Sequence, residues 1–335
     1  MKKVLLKIVK GIVFVLIFVL LLTLFSGLLI RKDEYTRYRE FYSEKDDFDV
    51  LFFGSSRMLD AMQPMELWKD YGIKSYNLAQ HGETLKRNYW SVENALKYNK
   101  PEVIVVDVSL FAGDVIINKE STGEERAYLH NTLDHMPLSI TKIKAINDFV
   151  EFSERGEYFL PFAMYHNRWS MLTKKDFSMA QAPMKGSEFR TNIQPQQYEP
   201  WPTEEKAEIF LPEGLYVDKL IDLCREKDIE PIFICLPVPG AEYYETINSF
   251  ERYFDEKEVR FINYWREEDL FDYQTDFSDD SHLNKSGALK VTAAMGEYLN
   301  ENFVFDHSNN VTDEDWNRIL EQYLTKKDKV TDNNE

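Results

Sequence analysis

The sequence predicts an α/β protein: a parallel sheet of about five strands with helices on both sides, preceded by one transmembrane helix. Three observations lead to this prediction. About 20 consecutive residues near the N-terminus carry no charge. Short apolar runs then alternate with amphipathic, helix-like stretches, as in strand–helix–strand units. The run Val103–Val108 is almost wholly apolar, as expected for a parallel strand buried on both faces.

The apolar segment Gly11–Ile30 is long enough to cross a membrane. About 20 helical residues span roughly 30 Å, the thickness of a hydrocarbon core. The residues before it include lysines and no acid: Lys2, Lys3, Lys7 and Lys10. Basic tails stay in the cytoplasm, so we expect residues 1–31 to form a cytoplasmic tail and single-pass anchor in the cell membrane. A cleaved signal peptide is the alternative, but Ser26-Gly27-Leu28 is a poor cleavage site. The rest of the chain is then extracellular.

Five segments after the anchor have the composition of strands: Asp49–Phe53, Ser75–Leu78, Val103–Val108, Ile232–Leu236 and Arg260–Asn263. Three longer segments have helical periodicity: Thr84–Tyr98, Gly214–Lys227 and Lys285–Asn302. In the second of these helices, Leu215, Leu220, Ile221 and Cys224 are expected to face the sheet. In such a sheet, ligand sites lie at the carboxyl ends of the strands.

Two regions depart from this alternation. Residues 112–212 are rich in aromatic, proline and amide residues and contain no long apolar run. We interpret them as an insertion that caps the site rather than as an independent domain. Residues 307–335 are highly charged and are predicted to form a C-terminal tail with one helix, around Asp313–Leu324.

The composition excludes some functions. With a net charge of −18 and no basic stripe, the chain is not expected to bind nucleic acid. Its two cysteines, Cys224 and Cys235, are expected to be buried thiols, although a disulfide is left open. No Cys or His spacing is typical of a zinc site, so we expect neither a metal nor a cofactor.

A serine follows the first predicted strand. Gly54-Ser55-Ser56-Arg57 places a small residue where the backbone must turn, and it exposes the next side chains at the end of the sheet. A serine in this position is a candidate nucleophile if a base lies close to it. Taken alone, the pattern is more typical of a turn or a helix cap.

The candidate base precedes the last helix, in Asp279-Asp280-Ser281-His282-Leu283-Asn284. A spacing of three residues allows the carboxylate of Asp279 to orient one ring nitrogen of His282. The other nitrogen is then available to a serine, as in serine triads. An acidic turn that caps the helix explains the same residues equally well.

The two motifs together resemble the SGNH, or GDSL-like, hydrolase superfamily. The resemblance covers about residues 49–111 and 214–302. It implies a flavodoxin-like three-layer α/β/α sandwich over residues 32–306. It also implies Ser56 as nucleophile and Asp279 and His282 as the acid and base of a catalytic triad.

The intermediate motifs of the superfamily match less closely. Tyr76–Gly82 resembles the second motif, which implies that Gly82 contributes a backbone N–H to the oxyanion hole together with Ser56. The third motif normally has G-x-N-D, and the corresponding residues here begin Asp107-Val108-Ser109. The asparagine donor is absent, and the Ser109 hydroxyl is its candidate replacement. In this departure the chain is similar to the membrane-anchored cell-envelope branches of the superfamily, namely D-alanine transfer proteins and exopolysaccharide acetyltransferases.

Within the insertion, His166, Arg168 and Trp169 form a candidate substrate-binding motif. Tryptophan stacks on sugars, and arginine binds carboxylate or phosphate. Alternatively, Trp169 anchors the insertion to the core and Arg168 pairs with a surface acid.

These observations lead to two functional hypotheses. The first is an extracytoplasmic serine esterase or O-acyltransferase that acts on acyl groups of a cell-envelope polysaccharide or an acyl carrier, through an acyl-serine intermediate. The second is a non-catalytic accessory factor of a membrane O-acyltransferase, which the missing asparagine favours.

Overall fold

The computed structural model describes residues 2–30, 32–44, 48–108, 116–177, 183–207, 212–241, 244–305 and 313–329. The chain divides into two compact units. The first comprises residues 1–36 and 115–181, and the second comprises residues 37–114 and 182–335. The predicted insertion is therefore shared between the units, because its last part belongs to the second one.

Five parallel strands form the sheet of the second unit: β1 (Val50–Phe53), β2 (Ser75–Asn77), β3 (Val103–Asp107), β4 (Glu230–Cys235) and β5 (Arg260–Asn263). Their order is β2-β1-β3-β4-β5, and every neighbouring pair is parallel. This is the flavodoxin-like order, so the predicted fold class is confirmed. Because the strands are parallel, the loops after β1, β2 and β3 leave from the same edge of the sheet.

The described residues form these α-helices: α1 (Lys2–Leu29), α2 (Lys32–Ser43), α3 (Ser56–Ala61), α4 (Pro64–Tyr71), α5 (Leu85–Ala95), α6 (Gly123–Leu133), α7 (Ile140–Phe149), α8 (Gly156–Phe159), α9 (Pro161–Tyr165), α10 (Pro212–Glu226), α11 (Tyr244–Glu256), α12 (Lys285–Asn302) and α13 (Asp313–Lys329). Three 3₁₀ helices, His166–Met171, Lys174–Phe177 and Tyr264–Arg266, complete the described elements. The three long helices predicted from periodicity correspond to α5, α10 and α12.

Alternate residues of β1 pack in two separate cores. Leu51 and Phe53 of β1 pack in one cluster with residues of α5, α10 and α11. Val50 and Phe52 pack in the other with residues of α3 and α12. This follows from the two-residue period of a strand, whose side chains point alternately to opposite faces. The second unit is therefore a three-layer α/β/α sandwich, as predicted.

The predicted inner face of α10 is correct for three of its four residues. Leu220, Ile221 and Cys224 are buried, whereas Leu215 is 54% exposed. A helix advances about 100° per residue, so Leu215 lies opposite Cys224, which is nine residues further on. Val217, which lies on the same face as Cys224, is buried in place of Leu215.

Both cysteines are free and buried, as predicted. Burial raises the pKa of Cys224 to about 12. It also raises the pKa of Cys235 well above its ordinary value. Both side chains are therefore protonated, unreactive thiols near neutral pH.

The C-terminal helix α13 is part of the second unit. It is longer than predicted, and Trp316, Ile319 and Tyr323 on one of its faces are buried. The Trp316 ring packs edge-on against Phe48. The Tyr323 hydroxyl donates to a carboxylate oxygen of Glu66 on α4, at 2.7 Å. The charged composition of the tail therefore describes only the outer face of this helix.

The first unit contains α1 and a small helical core. The stretch Val4–Leu29 is long and apolar enough to cross a membrane, which agrees with the predicted anchor. Helices α6 and α7 pack together and bury Leu133 and Ile146. An isolated bridge pairs Ile117 with Val150.

Candidate active site

Ser56 is the first residue of α3, directly after the turn that ends β1. A Cβ atom on Gly54 would lie 2.7 Å from the Cβ of Met58 and 3.0 Å from that of Asp107. Only glycine therefore fits where the chain passes from strand to helix. The Ser55 hydroxyl accepts a hydrogen bond from the backbone N–H of Arg57 as the helix N-cap. Of the two serines, Ser55 thus caps the helix and Ser56 is available for chemistry.

The structure brings Ser56, His282 and Asp279 together in one chain of hydrogen bonds. The Oγ of Ser56 lies 2.7 Å from Nε2 of His282. The Nδ1 of His282 lies 2.8 Å from Oδ1 and 3.0 Å from Oδ2 of Asp279. A carboxylate only accepts hydrogen bonds, so Nδ1 carries the proton and Nε2 accepts from the Ser56 hydroxyl. This arrangement lets His282 remove the serine proton.

A short antiparallel turn holds His282 in place. Phe277 and Leu283 form an isolated antiparallel bridge, and the backbone N–H of Ser278 donates to the carbonyl of His282 at 2.9 Å. Asn284 caps α12 by accepting from the backbone N–H groups of Ser286 and Gly287. The cap is therefore Asn284 and neither acid of the turn: Asp279 bonds His282, and Asp280 is exposed.

Opposing effects set the charges of this pair. Burial lowers the pKa of His282, the hydrogen bond with Asp279 raises it, and the charge of Arg190 lowers it; the net pKa is below the ordinary value. Partial burial raises the pKa of Asp279, but hydrogen bonds from His282 and Ser281 outweigh it and leave the pKa lowered. Near pH 7 the imidazole is therefore neutral and the carboxylate ionised, the states that a general base and its orienting acid require.

Arg190 joins the Asp279 carboxylate to a buried acid. One Nη atom of Arg190 lies 3.0 Å from Oδ2 of Asp279, and its Nε donates to Oδ2 of Asp60. Asp60 lies on α3 and is almost fully buried. Burial raises the pKa of Asp60 to about 7, although Arg190 acts in the opposite direction. The arginine thus connects α3, which begins at Ser56, with the turn that carries His282.

Residues 188–194, which include Arg190, cross the site as a strap. The backbone N–H of Glu188 donates to the Leu59 carbonyl at 3.2 Å, and that of Lys285 donates to the Arg190 carbonyl at 2.9 Å. The backbone N–H of Gln194 donates to the carbonyl of Phe277, at 2.9 Å. Arg190 and Asp60 could not be predicted from the sequence, because no local pattern connects residues so far apart in the chain. The only indication in the sequence was that the strap belongs to the insertion at residues 112–212, which the family resemblance does not cover.

The candidate oxyanion donors lie in the loops at the ends of β1 and β2. Gly82 has a φ of 64°, a left-handed conformation that favours glycine. Among the residues that the structure describes, the backbone N–H groups of Ser56 and Gly82 donate to no protein acceptor. Ser109, the candidate third donor, lies outside the described residues. Asp107, where the third motif begins, is buried at the end of β3.

The other predicted binding motif belongs to the first unit, together with α1. Arg168 pairs with Asp176 at 3.0 Å and donates to the backbone carbonyl of Leu29. The ring Nδ1 of His166 lies 2.8 Å from the carbonyl of Ala163. Trp169 is 72% exposed, so the alternative that it anchors the insertion to a core is wrong. Substrate binding by these three residues stays a prediction.

Three solved structures are similar to this chain in shape. An acylhydrolase from Bacteroides fragilis is 9% identical with a TM-score of 0.39, over 79% of this chain and 94% of its own. A lipolytic protein of the G-D-S-L family from Desulfitobacterium hafniense is 12% identical with a TM-score of 0.37, over 75% and 97%. A GDSL-like lipase from Bacteroides thetaiotaomicron is 8% identical with a TM-score of 0.39, over 80% and 100%. No family model and no curated protein sequence matches the chain.

Proposed function

We propose that this protein is a membrane-anchored serine esterase or O-acyltransferase of SGNH type, which acts on acyl groups of a cell-envelope polysaccharide. One observation carries the proposal: Ser56, His282 and Asp279, contributed by loops more than 200 residues apart, form a continuous hydrogen-bonded chain. A helix cap explains Ser55 and Asn284 but leaves this chain unexplained. The backbone N–H of Gly82, which has no acceptor among the described residues, supports the same proposal.

The geometry supports an acyl-serine mechanism. His282 takes the proton of Ser56 through Nε2 while the serine Oγ attacks the ester carbonyl carbon. The backbone N–H groups of Ser56 and Gly82 are the candidate donors to the resulting oxyanion. The carbon–oxygen bond to the leaving alcohol then breaks, and His282 returns the proton to that alcohol. Water or a sugar hydroxyl attacks the acyl-serine in the same way, which releases an acid or a new ester.

The proposed location follows from α1, and the proposed substrate follows from the resemblance to cell-envelope proteins. For a single-pass anchor with a basic N-terminal tail, we expect the second unit to lie outside the cell. A cell-envelope polysaccharide or an acyl carrier at that surface is then the proposed substrate. A membrane O-acyltransferase is then a candidate partner that supplies the acyl group.

Ser56, and not Ser55, is expected to react with a fluorophosphonate probe. In membranes that contain the full-length protein, Ser56→Ala is expected to reduce labelling to background. Ser55→Ala is the matched control; it removes a helix cap worth about 1 kcal/mol and should keep most of the labelling. If Ser55→Ala loses labelling and Ser56→Ala keeps it, the nucleophile is misassigned. If the folded wild type does not react at all, the accessory-factor hypothesis is favoured.

The second unit is expected to be accessible from outside the cell. Protease added to intact cells stripped of their wall should remove a C-terminal epitope, because the proposed topology leaves only residues before α1's apolar span inside. A cytoplasmic protein followed in the same sample should stay intact. Full protection of the epitope under these conditions would rule out the proposed orientation.

A further inference from the structure

The segment Tyr158–Phe177, called here the aromatic segment, exposes large apolar side chains to solvent. It comprises the end of α8, α9 and two short 3₁₀ helices. Its exposed fractions are 72% for Trp169, 68% for Met171 and 64% for Phe177. The stretch Tyr158–Thr173 contains no acidic residue, although the whole chain has a net charge of −18. Several large apolar side chains exposed along one short segment point to a partner surface that covers them.

The aromatic segment lies beside the C-terminal end of α1. It packs against α1 through α9 and both 3₁₀ helices. The guanidinium of Arg168 donates to the carbonyl of Leu29, which is the last residue of that helix. The side chains of Ser26, Leu29 and Ile30 are buried, whereas the apolar residues from Val4 to Leu21 are exposed. Within the first unit, the segment is therefore located where the apolar span ends.

The length of α1 places this end at the membrane surface. The stretch Val4–Leu29 has 26 residues, which rise about 39 Å as a helix. The hydrocarbon core is about 30 Å thick, and a polar interface of several ångströms covers each side. A span of this length reaches from the core into that interface. Groups that pack beside its last turn are then at the level of the lipid headgroups.

We propose that the aromatic segment is an interfacial membrane-binding element, which inserts Trp169, Met171 and Phe177 into the headgroup region of the leaflet where α1 emerges. This inference rests on the proposed function only in requiring that α1 spans the membrane. Tryptophan partitions to the interface because its ring is apolar and its N–H still finds a polar acceptor there.

Arg168, one of the charged residues in this element, is neutralised and held in place. Arg168 pairs with Asp176 and satisfies the terminal carbonyl of α1. The guanidinium makes both bonds. Arg168 thereby lowers the free-energy cost of placing the end of α1, and the residues beside it, at a surface of low polarity. Lipid contact thus accounts for the exposed apolar groups, and the ion pair accounts for the arginine between them.

Site-specific fluorescence in lipid vesicles tests this proposal. The full-length chain is reconstituted into phosphatidylcholine vesicles that contain a minor fraction of phosphatidylglycerol. Single cysteines are introduced as Met171→Cys or Phe177→Cys and labelled with a polarity-sensitive fluorophore. The native cysteines are buried and remain unlabelled. We expect blue-shifted emission that is quenched by lipids with a nitroxide near the headgroup and is protected from iodide.

Two further positions make the outcome decisive. Phe14→Cys lies in the middle of α1 and is 70% exposed, and Val304→Cys in the second unit is 93% exposed. We expect quenching by a nitroxide deep in the acyl chains at position 14 and by iodide at position 304. If position 14 is quenched by lipid but positions 171 and 177 are quenched only by iodide, the aromatic segment does not bind the membrane and the anchor stands. If position 14 is not quenched by lipid, both the anchor and this inference are wrong.

Discussion

Replacing His282 by alanine is expected to lower kcat for hydrolysis of a small acetyl ester by about 10³-fold or more. The change removes the only group within hydrogen-bond distance of the Ser56 hydroxyl among the described residues, so the serine loses its base. The measurement is steady-state hydrolysis by the full-length protein in detergent. Each variant is first checked for folding by its circular dichroism spectrum.

The Asp279→Ala change is expected not to add to the loss of His282. Once the imidazole is absent, the carboxylate has no ring to orient, so the double variant should be about as slow as His282→Ala alone. Asp280→Ala is the matched control, because Asp280 is an exposed acid in the same turn. Its rate should fall little. Equal damage from Asp280→Ala and Asp279→Ala would refute the assignment of Asp279, and unchanged rates in all variants would show that the hydrolysis does not use these residues.

Arg190→Gln is expected to lower kcat/KM for the same ester by about 10²-fold, the cost of a misplaced catalytic group. The arginine holds Asp279 against α3 through Asp60. Its loss leaves the buried Asp60 without its cation, which is expected to destabilise the fold most at a pH where Asp60 is still ionised. The double change Arg190→Gln/Asp60→Asn removes that buried charge and should recover much of the stability but not the rate.

The pH profile separates a positioning role of Arg190 from a purely structural one. His282 acts as a base only when neutral, so kcat/KM of the wild type should rise with pH through a pKa below 6.5. Because the charge of Arg190 lowers that pKa, Arg190→Gln should move the rise to higher pH. Arg266→Gln is the control; Arg266 is about as exposed as Arg190 and pairs with Glu204 instead. An unshifted profile in Arg190→Gln would argue against the electrostatic role.

Stability should also depend on pH through Asp60. Its pKa in the folded protein is about 7, above the ordinary 3.8. Between these values the folded state therefore binds more protons than the unfolded state, and stability falls as pH rises through this window. Asp60→Asn should remove this part of the dependence, which thermal unfolding at several pH values would reveal.

Local sequence patterns determined the elements of this protein and part of its site. Continuous apolar runs predicted β1 and β3, because strands buried on both faces need such runs. The Gly54-Ser55-Ser56 turn and the Asp279–His282 spacing could be recognised in the sequence because each depends on residues a few positions apart. The parallel order of the strands then brings the two segments together, so the meeting of Ser56, His282 and Asp279 could be predicted from two separate local motifs and a family resemblance.

Only the tertiary structure decided which distant residues meet. Arg190 lies 130 positions from Asp60, and no periodicity connects them. The burial of Trp316 depends on the surface that Phe48 offers to α13, so composition alone made this helix resemble a solvated tail. Trp169 illustrates the same limit, because the local sequence does not indicate whether an aromatic residue contacts a core, a sugar or a lipid. Sequence patterns indicate whether a residue needs burial or a polar partner, whereas long-range packing decides which residue provides it.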